Sequence, residues 1–148
     1  MVLLLQMFSK ILVAVDGSAI SDTAFRTVVE MARNLKATLH VIYVVETGFF
    51  SALPMDNTWE MMYSLLEKEG NETLTKARKF AQEHGMEIIT HLKQGHAGNE
   101  IIHVAENVGA DLIVLGSHGK SRVDRILIGS VSSFVVSHSP VTTMVVRA

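Results

Sequence analysis

The chain reads as an α/β domain built on a parallel sheet. Short apolar runs alternate with longer amphipathic runs along its length. The apolar runs are nearly continuous, the pattern of strands buried on both faces. With 148 residues, 48% of them apolar, the chain suits one domain with a sizeable core and is no disordered tail. Alternating strands and helices then give three layers, with helices on both faces of the sheet.

The elements follow in order. Lys10 to Val15 is the first strand. Ile20 to Leu35 carries Ala24, Val28, Met31 and Leu35 at helical spacing, with Ser18 or Ser21 as its cap. Ala37 to Val45 is the second strand. Thr58 to His84 is helical in pattern, weakened at Gly70 and stopped by Gly85. Met86 to Leu92 is the third strand. Gly98 to Val108 is a helix with Ile101, Ile102, Ala105 and Val108 on one side. Leu112 to Leu115 is the fourth strand, Ser130 to Ser137 the fourth helix, and Val141 to Val146 the last strand. The whole of 1–148 is read as one domain, with Met1 to Gln6 as a peripheral extension. The apolar run at its start is too short to span a bilayer and lacks the flanks of a signal peptide; Met7 is an alternative start.

Composition narrows the function. A net charge of -2 gives no electrostatic footprint for nucleic acid. The absence of cysteine excludes disulfides, thiolate zinc sites and a cysteine nucleophile, and it fits a reducing cytoplasm. The histidines make no metal set: His91, His96 and His103 are joined by no cysteine or clear carboxylate.

The chemistry concentrates after the fourth strand, in Gly116-Ser117-His118-Gly119, nine residues, then Gly129-Ser130. A strand that opens through glycines into a helix start can hold phosphate. Glycine permits close backbone approach and positive φ, and the helix start offers unpaired N–H groups. Lys120, Arg122 and Arg125 would face an anion or, interleaved with Asp124, form an ordinary solvated surface. Gly119-Lys120-Ser121 is not a Walker A end, because position 114 is Val. His118 breaks the dinucleotide glycine pattern, and no nucleophile elbow surrounds Ser117. The loop is a distinct phosphate cradle or a tight surface turn, and His118 touches a phosphate or faces solvent.

Ligands of such sheets bind beyond the carboxyl ends of the strands, where strand order reverses. The loop after the first strand is Asp16-Gly17-Ser18. If strands one and four are neighbours, Asp16 and Gly116 flank one crevice. Asp16 would accept hydrogen bonds from ribose hydroxyls or an adenine amino group, or it would only turn the chain into the first helix. Phe49, Phe50, Trp59, Met61 and Met62 form an apolar cluster that covers the core or a partner.

The loop Gly116-x-x-Gly119-x9-Gly129-Ser130 resembles the nucleotide-binding signature of the universal stress protein family, in its ATP-binding class. The segment Ile11-Leu12-Val13-Ala14-Val15-Asp16-Gly17-Ser18 resembles that family's first strand and loop, and His40 to Val45 its second strand. Ala110 to Gly116 and Ser139 to Val146 are similar to its fourth and fifth. The resemblance runs from Phe8 to Arg147. It implies a Rossmann-like three-layer sandwich, of the adenine nucleotide alpha hydrolase type, with a five-stranded parallel sheet of order 3-2-1-4-5. By position it implies ATP bound at Ala14, Val15, Asp16, Val44, Leu115, Gly116, Gly119, Gly129, Ser130, Val131 and Ser132. Asp16 would hold the ribose or adenine side and the main chain of Val44 would meet adenine. Gly116, Gly119 and Gly129 would admit phosphates, and Ser130 and Ser132 would donate hydroxyls. Magnesium or manganese would accompany the triphosphate.

Ala14 stands where many members have proline, and the loop Thr47 to Asn57 lies where members vary. The implied strand order puts the last strand at a sheet edge. A homodimer through Val141, Thr142, Thr143, Met144, Val145 and Val146 would cover it, as is common in the family. The function expected is nucleotide-dependent regulation or signalling in a stress response, in the cytoplasm. The alternatives are a slow ATPase or phosphotransferase, for which the sequence offers no general base, and a dimerisation module without nucleotide.

Overall fold

The computed structural model describes residues 7–48, 57–118 and 129–147. Five strands are present: β1 (Lys10–Ala14), β2 (Thr38–Glu46), β3 (Ile88–Gly95), β4 (Leu112–Gly116) and β5 (Thr143–Val146). Four helices alternate with them: α1 (Ala19–Leu35), α2 (Asn57–Glu83), α3 (Ala97–Val108) and α4 (Ser130–His138). The strands form one parallel sheet of order β3-β2-β1-β4-β5, as the family resemblance implied.

The apolar runs fill both faces because successive side chains of a strand point to opposite sides. Ile11, Val13, Leu39, Val41, Leu112 and Val114 face one way, against Phe25 and Val28 of α1 and Leu74 and Ala77 of α2. Leu12, Ile42, Ile113 and Leu115 face the other way, against Ile101, Val104 and Ala105 of α3 and Val135 of α4. Most of these side chains are fully buried, each worth about 1.5–3 kcal/mol for a Val, Leu, Ile or Phe.

Two strands, β3 and β5, depart from the sequence reading at their ends, β5 beginning at Thr143 rather than Val141. Helix α2 runs through Gly70 without a break, as the reading of one helix expected. A β-carbon there would lie 2.8 Å from both Leu92 Cδ1 and Tyr43 Cδ1, so the missing side chain lets the helix settle on β2 and β3. That close approach offsets the roughly 1 kcal/mol a mid-helix glycine costs. Strand β3 begins two residues later than expected and continues three further, through Lys93, Gln94 and Gly95. The polar extension is tolerated because β3 is an edge strand that pairs only with β2. Phe49, Phe50, Pro54, Gly119, Lys120, Arg122, Asp124 and Arg125 lie outside the described residues. Of the expected apolar cluster, Trp59 stacks on Tyr63 at 5.9 Å while Met61 stays exposed. Among the described residues no helix is long and apolar enough to cross a membrane.

Candidate functional site

The sheet splits at its carboxyl edge. β1 and β4 pair as far as Val13 and Val114. Beyond that point the Val15 N–H donates to the Ile42 carbonyl at 2.9 Å, while the Ser117 N–H donates to the Val146 carbonyl at 2.8 Å. The exit of β1 is thus bonded to β2 and the exit of β4 to β5. The pairing of the two middle strands ends here, between Ala14-Val15-Asp16 and Leu115-Gly116-Ser117. This is the switch point at which α/β sheets take their ligands.

On the β1 side, one carboxylate oxygen of Asp16 accepts the Ser18 N–H at 2.9 Å, and the Asp16 N–H donates to Ser21 Oγ at 3.2 Å. Ser18 caps α1 by accepting the Ser21 N–H at 3.2 Å. Asp16 therefore shapes the turn into α1. It remains half-buried, and its second oxygen has no hydrogen-bond partner among the described residues. Val44, also half-buried, packs with Ala14 toward the face that carries α3 and α4.

On the β4 side, Gly116 is held from two directions. A β-carbon there would meet Ile20 Cγ2 at 3.1 Å and the Ile20 carbonyl carbon at 3.3 Å. Its own carbonyl accepts the Ser132 hydroxyl at 2.6 Å. Gly116 makes room for the start of α1. Ser132, buried, gives its proton to Gly116 and has none left for a phosphate. Gly129 is needed for close approach rather than for positive φ. Its φ is -64°, and a β-carbon would lie 3.0 Å from the Cα of His118. Its N–H also donates to the Ser117 carbonyl.

The start of α4 thus lies against the exit of β4. Gly129 is its N-cap, with no side-chain capping bond and no acidic residue in the first turn. A helix leaves its first N–H groups without intrahelical partners and carries partial positive charge at that end. Ser130 and Val131 are exposed there. His118 stands beside this end, its Nδ1 3.0 Å from the hydroxyl of the buried Ser117. Among the described residues, no three His, Asp or Glu side chains converge as a metal set.

Sequence reading did not find Glu46. One of its carboxylate oxygens accepts the Ala97 N–H at 2.9 Å and the other the Gly48 N–H at 3.2 Å. The first of these closes the start of α3, which His96 caps as well by accepting the Asn99 N–H. Nothing local marks Glu46 for this, since its partner is 51 residues away.

The model of the universal stress protein family matches residues 7–147. The chain belongs to the universal stress protein family. A universal stress protein of Methanocaldococcus jannaschii is 38% identical over 141 residues, covering 95% of this chain and 83% of that one. A solved universal stress protein from Lactobacillus plantarum matches with a TM-score of 0.87 at 27% identity, covering 95% of this chain and 98% of the other. Two more distant universal stress proteins, at 23% and 22% identity and TM-scores of 0.67, share the fold. The first was solved in complex with cAMP and covers 95% of this chain and 97% of its own. The second, from Archaeoglobus fulgidus, was solved in complex with dAMP and covers 95% and 99%.

Proposed function

We propose that this universal stress protein binds ATP in the crevice between β1 and β4 and acts as a nucleotide-dependent regulator. The observation that carries the reading is the uncapped start of α4 against the exit of β4. Its first-turn N–H groups, on Ser130, Val131 and Ser132, would take phosphate oxygens. The exposed Ser130 hydroxyl would add a donor. Ser132 would contribute its main chain only. Gly119 and Gly129 would leave room for the phosphates, and Ala14, Val15 and Leu115 would wall the crevice. The second oxygen of Asp16 would accept from ribose or the adenine amino group, and the main chain of Val44 would meet the base. Solved relatives bound to cAMP and dAMP support an adenine nucleotide. A magnesium or manganese ion would be held mainly by the phosphates and water, as small hard cations are in nucleotide sites. This reading belongs to the cytoplasm, where nucleotide is supplied.

The test is chemical. Protein purified without added nucleotide is denatured and the released small molecules identified, and calorimetry then measures ATP against GTP. The expected result is co-purified adenine nucleotide or a preference for ATP. No nucleotide and no heat of binding would overturn the reading.

The same reading includes a homodimer through residues 141–146. The Ile113 N–H donates to Thr142 O and the Ser117 N–H to Val146 O. The carbonyls of Thr142 and Val146 thus face β4, and the alternate residues, Thr143 and Val145, turn their backbone groups to the open edge. Val145→Pro would remove an outward N–H without touching the ladder to β4. Light scattering should find a dimeric wild type and a variant shifted toward monomer. A wild type that is already monomeric contradicts the dimer.

A further inference from the structure

His40 and His91 lie on the α3 and α4 face of the sheet, away from the proposed crevice. His40, in β2, is buried, and His91, in β3, is partly covered. In register, His40 stands opposite Ile89 and His91 opposite Ile42, so the two imidazoles meet on the diagonal. Nδ1 of His40 and Nε2 of His91 are 2.9 Å apart. The ring centroids are 5.2 Å apart, with planes inclined by 20°. The difference between those two distances is close to the two ring radii. The rings therefore meet end to end, lone pair to N–H, and not face to face. Among the described residues each imidazole has the other as its only side-chain hydrogen-bond partner.

From this geometry we infer that His40 and His91 form an acid-sensitive latch that fastens the edge strand β3 to β2. In the neutral pair one ring donates the bridging N–H and the other accepts it. A first added proton goes to an outward nitrogen and leaves the bridge intact. A second has only the bridging lone pair to occupy, which sets two N–H groups and two positive charges face to face. The pair then separates.

The surroundings oppose charge on the folded pair. Lys10 of β1 bears on His40 and Lys93 of β3 on His91, both cationic. On α3, which packs over this face, the titratable residues are Glu100, His103 and Glu106. Glu100 lies at the Gly95 end of β3, and His103 and Glu106 are exposed. The Asp111 carboxylate is engaged by the Ser9 hydroxyl and N–H and by the Lys10 N–H. Burial first, then His91 and Lys10, hold His40 below its usual value of 6.5; burial first, then Lys93, does the same for His91. The sign follows from linkage. The unfolded chain takes up these protons near 6.5 and the folded pair only below it. The latch is whole above 6.5, and its contribution to stability is lost as pH falls below that value. Strand β3 ends at Gly95, opposite Glu46, so its release would loosen the start of α3 as well.

The test compares the nucleotide-free wild type with the double variant His40→Leu/His91→Leu. Denaturant unfolding is measured at pH 7.5 and pH 5. Each proton bound only by the unfolded chain changes the folding constant about tenfold per pH unit below its unfolded value. Acidification should therefore lower the wild-type folding constant at least about tenfold more than that of the variant. A difference within about threefold would overturn the latch. A second readout uses the wild type alone, should the variant fail to fold. Imidazole nitrogen resonances should titrate in two steps, both below 6.5, and amide exchange in β3 should accelerate across the second. One independent step for each ring, or either ring titrating at or above 6.5, would refute it.

Discussion

Helices α3 and α4 lie side by side on one face of the sheet, and both begin at its carboxyl edge. A β-carbon on Gly98, in the first turn of α3, would run into the ring of Phe134 of α4. Yet the two helix starts are built differently. The start of α3 is closed by the chain itself, with the Glu46 carboxylate on Ala97 and the His96 ring on Asn99. The start of α4 has glycine as its cap and, among the described residues, no side chain on its first N–H groups. The start of α1 is closed too, by Ser18. A helix start attracts anions wherever it is left open. In the proposed reading, what separates the site from the scaffold is which helix start is left open among the described residues.

That contrast can be broken by substitution. The largest effect should come from Gly129→Val. The new β-carbon would press on the His118 backbone at 3.0 Å and block the approach to α4. Calorimetry should find no measurable ATP binding, with circular dichroism unchanged. Asp16→Ala should come next. Loss of one charge-assisted hydrogen bond to the nucleoside costs about 1.5–3 kcal/mol, or about one to two decades in affinity. The loss should appear for ATP and not for inorganic triphosphate, whereas an equal loss for both would mean that Asp16 only shapes the turn into α1.

Ser132→Ala acts on stability. It strips the buried Gly116 carbonyl of its hydroxyl partner, at a cost of about 1–3 kcal/mol in denaturant unfolding. Stability unchanged within error would mean that the carbonyl finds another donor. The smallest effect belongs to Glu46→Ala. It should destabilise the protein by about 0.5–2 kcal/mol, the range for a lost helix cap, and leave ATP affinity as it was. It should also give the α3 start a weak affinity for sulfate that the wild type lacks, visible as shifts of the Ala97 to Asn99 amides. If those amides stay still, the His96 ring alone is enough to close α3.

The architecture was largely legible in the sequence because burial on both faces demands continuous apolar strands, and those strands are conspicuous. What the sequence left unexplained has local causes. Gly70, inside a helix the pattern did show, is where Tyr43 and Leu92 press, and β3 hides its polar end because an edge strand need not be apolar. Asp16 and Gly116 do lie at the carboxyl ends of neighbouring strands. The motif could not show what each glycine is for, since Gly116 answers to Ile20 and Gly129 to His118. Nor could it show that the Ser132 hydroxyl turns inward, or that Glu46 reaches across 51 residues to Ala97. These roles depend on contacts between segments distant in the chain, which no spacing rule encodes.

The most direct measurement is an amide-resolved NMR titration of the whole chain with ATP and, separately, with inorganic triphosphate. Both ligands should move the amides of Ser130, Val131 and Ser132 most, through direct phosphate contact. ATP alone should also move those of Asp16 and Val44. The amides at the starts of α1 and α3 should stay nearly still. Shifts concentrated at Ala97 to Asn99, or no shift in the first turn of α4 with either ligand, would contradict the assignment of α4 as the phosphate-binding end of the crevice.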